Sequence, residues 1–149
     1  MNSLFKKPHL VFFLAIPIIL LIGLLGGDSA LDINIHDTYF VIAHPHIAIL
    51  ISIVFGIIGL GYWTTQRVGG QLSKWMSIIH IVLTFGGLLA IFIVPSLTFV
   101  SSNESSFPVF DDLMVKNQIL VYTVILMWLG QLLFLVNLIL AFFRKKNQI

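Results

Sequence analysis

Apolar residues fall along this chain in four long runs, at about 10–26, 40–63, 75–95 and 118–143, separated by polar stretches. Each approaches or exceeds the roughly 20 residues a helix needs to cross a hydrocarbon core, the first being the shortest. The pattern predicts an all-α membrane protein of four transmembrane helices, forming one domain over residues 1–149. The segment "SALDINIHDTY" reads as a loop feeding the second run. Residues 96–117, with their Ser, Asn, Pro and Asp, read as a longer loop.

Composition agrees with this reading. Of 149 residues, 58% are hydrophobic and only 9% are charged, and the mean hydropathy is +1.05. A soluble domain of this size has no way to bury so much apolar surface. Without cysteine there is no disulfide framework, no thiolate metal site and no covalent haem attachment through C-x-x-C-H. The first run follows Lys6 and Lys7, as a signal peptide would. It continues to Gly26 without a small-x-small cleavage site, so it reads as a span.

Charge then orients the chain. Lys6, Lys7, Arg67, Lys74, Arg144, Lys145 and Lys146 all fall on one side, and only Lys116 falls on the other. The positive-inside rule puts both termini in the cytoplasm, and the expected location is a bacterial inner membrane. The isoelectric point near 9.1 therefore reflects topology and not a nucleic-acid partner. Tyr62, Trp63 and Trp75 are expected at the inner interface as an aromatic belt.

Ionisable residues inside spans are functional candidates by default. His80 is expected to be hydrogen-bonded between helices; separately, Gln131 and Asn137 are expected to make interhelical hydrogen bonds, and Gly86 and Gly87 a close helix contact. His44 and His46 are different. They are expected six to eight residues into the second helix, roughly 10 Å below the outer surface at 1.5 Å rise per residue. At about 100° per residue they point to nearly opposite faces. One iron takes no more than one of them from a given helix, so each serves a different pocket. A neutral imidazole is a good haem-iron ligand, and haem is flat enough to slot between helices. Pro45 between them is expected to kink the helix near Val41. His80, expected near the inner third of the bilayer, lies too deep to be the opposite ligand, so that ligand is expected from another chain.

The stretch "LDINIHDTYFVIAHPHIAIL" resembles subunit I of the haem-copper oxidases, whose tenth helix and preceding loop read approximately L-D-x-x-x-H-D-T-Y-Y-V-V-A-H-F-H. Leu31, Asp32, His36, Asp37, Thr38, Tyr39, Val41, Ala43, His44 and His46 fall in register, with Phe40 and Ile42 as close substitutions. The other spans look like the ninth, eleventh and twelfth helices, so the chain is similar to one of the family's three four-helix arcs. The resemblance implies that His44 and His46 ligate haem on the two sides of one helix. It implies that His36 and Asp37 lie near haem propionates and a magnesium site shared with another subunit.

The departures also matter. Pro45 replaces an aromatic, and "AHPHIAI" is similar to the family's sixth-helix H-P-E-V-Y-I motif as well. The paired propionate-binding arginines of the last outer loop have no match. The copper-ligating histidines and linked tyrosine belong to the family's middle arc, so copper and a complete oxidase are not expected here. The expected function is that of a membrane b-type cytochrome for electron transfer or redox sensing. Three copies would form a homotrimer, each pocket taking His44 from one copy and His46 from the next as axial ligands of haem b. His36, Asp37, Thr38 and Tyr39 would form the outer lid, contacting propionates or orienting the ligand rings. The expected surroundings are membrane lipid, with a redox partner or oxidase subunits. The alternative is a haem-free accessory or assembly subunit of a respiratory oxidase complex. Copper or haem delivery to an oxidase is a further one, but a site of histidines with no Cys and few Met suits Cu(I) poorly.

Overall fold

A computed structural model describes residues 7–26, 30–35, 38–100 and 107–144; the side chains of residues 30–40 and 108 are not described. The elements in order are α1 (Pro8–Leu25), β1 (Ala30–Ile35), β2 (Thr38–Ala43), α2 (His44–Arg67), α3 (Lys74–Ile93), a 3-10 turn (Val94–Ser96) and α4 (Pro108–Phe143). All four α-helices are long and apolar enough to cross a membrane. Their large side chains are widely exposed, Leu25 at 77% and Phe143 at 84% among them. In water such surface would drive aggregation; in a bilayer the lipid covers it. The protein is an integral membrane protein with an all-α membrane-spanning part. Contacts divide the chain into two compact units, the first holding α1, the hairpin and α2, the second α3 and α4.

In the first unit the structure departs from the pattern at the start of α2. Residues expected to begin that helix, from Phe40, are instead strand. β1 and β2 pair antiparallel, with Leu31 opposite Ile42 and Asn34 opposite Tyr39. Two causes act together. Residues 38–43 are mostly aromatic or β-branched, the types that suit a pleated strand. Had the helix run through from Phe40, Pro45 would sit in its interior, losing one hydrogen bond and clashing with a carbonyl, at a cost of about 3 kcal/mol. Starting at His44 puts Pro45 in the first turn, where N–H groups have no intrahelical acceptor. The expected kink at Val41 is therefore replaced by a helix start. A two-stranded hairpin leaves unpaired backbone edges, which hydrocarbon does not tolerate. A lipid-exposed hairpin therefore does not suit the hydrocarbon, and α2 itself begins at His44.

α2 rests antiparallel on α1. Phe12 meets Phe55 edge-on at 5.2 Å and stacks with Tyr62 at 6.0 Å. Tyr62 is fully buried in this contact. It is therefore a packing residue and not the interfacial anchor expected, whereas Trp63 and Trp75 are exposed as anchors should be. Arg67 lies over the Trp63 ring at 4.9 Å. The helix ends in a Schellman turn: Gly70 N–H donates to the Thr65 carbonyl at 2.9 Å and Gly69 N–H to Gln66 at 3.1 Å. Gly69 has φ +83°, a conformation that a Cβ would strain.

In the second unit α4 has 36 residues, about 54 Å at 1.5 Å rise, and so exceeds a core of roughly 30 Å. Its first ten residues fall in the stretch whose composition predicts a loop. Pro108 starts the helix, Asp111 lies in the first turn, and Lys116 pairs with Asp112 one turn on at 2.7 Å. Asp112 also accepts from the backbone N–H groups of Phe99 (2.6 Å) and Val100 (3.2 Å), tying the preceding loop to the helix. Gly87 is buried against Met127, as the close-contact reading expects, while Gly86 faces open space.

At the other end of this unit, Asn137 grips the start of α3. Its Oδ1 accepts from Ser73 N–H at 2.9 Å, and its Nδ2 donates to Ser77 Oγ at 3.0 Å and the Ser73 carbonyl at 3.3 Å. Ser73 is the N-cap residue and its own side chain makes no capping bond, so a side chain from α4 supplies the grip. We expect Asn137→Leu to destabilise the protein by about 1–2 kcal/mol, the cost of leaving buried partners unpaired. Thermal unfolding in detergent measures it; an unchanged midpoint would contradict the assignment.

Candidate functional site

The candidate site lies where β2 runs directly into α2. Ala43 is the N-cap, with extended backbone (φ −62°, ψ 139°), and no side chain caps the first turn. His44 and His46 occupy the first and third helical positions, with Pro45 between them. Their surroundings differ as positions two apart on a helix should. His44 is half-buried, on the side of α2 that continues through buried Ala48, Ser52 and Phe55 against α1. The Nδ1 of His44 is buried and has no hydrogen-bond partner. His46 is exposed, at the head of an apolar strip formed by Leu50, Ile53, Ile57 and Leu60, each more than half exposed. One imidazole thus faces into the helix pair and the other faces away from it.

α1 approaches the same turn at Gly23. A Cβ there would collide with the Ala48 methyl and lie 3.5 Å from the His44 carbonyl oxygen and 3.6 Å from the Pro45 Cα. Nothing in the hydropathy pattern singles this glycine out.

Of the other expected residues, only Thr38 and Tyr39 are among those described, and their backbone is not beside His44. His36 and Asp37 lie outside the described residues. Thr38 and Tyr39 are at the far end of β2, opposite Ile35 and Asn34. At about 3.3 Å per strand residue they lie roughly 16–20 Å along the chain from His44, twice the separation a helix would give. Among the described residues, no group of three or more His, Cys, Asp or Glu side chains forms a metal cluster. The hairpin itself was legible: Leu31, Ile33 and Ile35 alternate with Asp32 and Asn34, and two residues separate this run from the next.

His80 behaves as a structural residue. It is fully buried, its Nε2 lies 3.2 Å from Gln131 Oε1, and its ring stacks on Phe134 at 5.1 Å. Gln131 passes the connection on by donating Nε2–H to Thr84 Oγ1 at 3.2 Å.

Strands leading into a helix that carries two opposed imidazoles, in a chain with four membrane-length helices, define a candidate two-sided ligand wall. Comparison with known proteins gives it a family. The family described as "Cytochrome C and Quinol oxidase polypeptide I" matches residues 2–108, which takes in α1, the hairpin, α2 and α3 and stops at the start of α4. Cytochrome c oxidase subunit 1 of Thermostichus vulcanus is 38% identical over 66 residues, 44% of this chain and 12% of that protein. The Bacillus subtilis (strain 168) protein of the same name is 37% identical over 73 residues, 48% of this chain and 12% of the relative. That of Cereibacter sphaeroides is 33% identical over 66 residues, 44% of this chain and again 12% of the relative. These matches span only about an eighth of each relative. No solved structure matches the chain. The chain belongs to the cytochrome c and quinol oxidase polypeptide I family.

We expect His80→Leu and Gln131→Leu each to lower stability by about 1 kcal/mol, the scale of interhelical hydrogen bonds in membranes. The double variant should lose less than the sum, because the two share one bond. Additive losses in the same unfolding measurement would contradict this network.

Proposed function

We propose that this chain is a membrane haem protein of the b type that carries electrons or senses redox state, with His44 and His46 as axial ligands in different pockets. The observation that carries this reading is the division of the α2 start into two environments. His44 is tucked toward α1 with an orphaned Nδ1, and His46 stands exposed over an apolar strip. Imidazole nitrogen suits haem iron, and the apolar strip suits the face of a macrocycle. Held by two imidazoles, a haem would supply one-electron exchange. The chain's own part is to hold two imidazoles on one short turn, to surround them with apolar side chains and to limit water.

Pairing His44 of one copy with His46 of the next closes under threefold rotation, so the assembly proposed is a homotrimer. Thr38 and Tyr39 lie too far along the strand for the iron. They suit the rim of the pocket, where they would meet propionates, or a magnesium ion at His36 and Asp37. The basic residues that flank the spans support a cytoplasmic position for both termini, in a bacterial inner membrane.

A second reading is supported by the exposure of His46. Its face of α2 would complete a pocket on a different protein, making this chain an accessory or assembly subunit of a respiratory oxidase complex.

A reduced-minus-oxidised spectrum of the purified chain tests the first reading. We expect a b-type signal that His44→Ala and His46→Ala each abolish and His80→Leu retains. Absence of the signal after expression with ample haem, together with co-purifying oxidase subunits, would favour the second reading. Full haem loading in either histidine variant would contradict the two-pocket arrangement.

A further inference from the structure

α1 and α2 touch closely at two levels. Far from His44, Phe12 packs on Phe55 and Tyr62, and a Cβ on Gly59 would come within 2.7 Å of the Phe13 ring. Beside His44, the contact is Gly23. There α1 meets backbone as well as side chain, namely the Ala48 methyl, the His44 carbonyl oxygen and the Pro45 Cα.

The first turn of α2 has little else to fix it. Its leading N–H groups have no intrahelical acceptors, Pro45 has no N–H at all, and no side chain caps the turn. Tertiary contact must therefore set where this turn sits, and both imidazoles hang from it. We propose that Gly23 is the positioning residue for His44 and His46: by lacking a side chain, it lets α1 seat on the backbone of the turn and fix the direction of both rings. The consequence for haem rests on the function proposed above; the consequence for the rings does not.

A methyl on Gly23 has to displace Ala48, since two carbons settle no closer than about 3.5 Å. Ala48 lies one turn after His44 on the same side of α2, so the turn moves with it. Removing the Ala48 methyl reopens the space, because the remaining neighbours of a Cβ on Gly23 lie at ordinary contact distances. The proposal therefore predicts rescue within one chain, a behaviour that a general loss of packing does not produce.

The test uses the full chain in detergent. In the haem-free protein, histidine-selective NMR should show the ring signals of His44 and His46 shifted by Gly23→Ala, with His80 unmoved. Adding Ala48→Gly should return them. Gly59→Ala, at the far contact, should lower thermal stability without moving either signal. In the haem-loaded protein, Gly23→Ala should weaken haem binding roughly 10-fold or more, the range for groups that orient a metal ligand. Ala48→Gly in the same chain should restore it. Should Gly23→Ala not accumulate, Ala48→Gly alone loosens the same contact and should shift the same two signals. Unmoved His44 and His46 signals, or equal shifts from Gly59→Ala, would overturn the positioning role. Lack of haem in the unaltered chain would overturn the functional reading instead, and the NMR comparison would still decide this one.

Discussion

The constraint on which the candidate site depends is the position at which α2 begins. Pro45 has no N–H to give, so it is cheap in a first turn and costly in a helix interior. With the helix starting at His44, the residues before it are free to pair as a hairpin, and the two imidazoles become the first ring-bearing groups of a membrane helix. A helix of 24 residues, about 36 Å long, crosses the hydrocarbon without help from residues 40–43. The histidines then stand at one end of a membrane-length helix.

Buried and half-buried polar residues divide by whether their hydrogen bonds are met. His80, Gln131, Thr84, Ser73, Ser77 and Asn137 all find partners within the second unit. They hold α3 to α4, as polar groups between membrane helices do. His44 Nδ1 finds none, and neither do His9 Nδ1 and Ser52 Oγ. An orphaned atom alone therefore does not mark a ligand. His44 is set apart by His46, two residues on and facing the other way, inside the stretch that the family match covers.

Much of this was legible in the sequence, and the misses have physical causes. The four runs give the four helices because lipid demands length and apolarity and little else. The opposite faces of His44 and His46 follow from helical pitch alone. The hairpin was readable from its alternation but was overridden by reading Phe40–Ala43 as part of an apolar run. Apolar runs do not distinguish strand from helix, and the proline that does was read as a kink. The early start of α4 was hidden by the loop-like composition of residues 96–107, against which one Pro and one Asp–Lys pair carry little weight. Tyr62 was misassigned because an aromatic near a span end suits the interface as well as the core. Gly23 was not readable, since only the approach of α1 to the His44 backbone gives it a role.

The central claim is that His44 and His46 of one helix serve different pockets. It is tested most directly by producing the His44→Ala and His46→Ala chains together and measuring haem in the mixed assembly. Each variant alone should be empty. In the mixture, a copy that keeps His44 meets a neighbour that keeps His46, so a bis-histidine spectrum should reappear at part of the unaltered loading. A mixture as empty as either variant by itself would contradict the account.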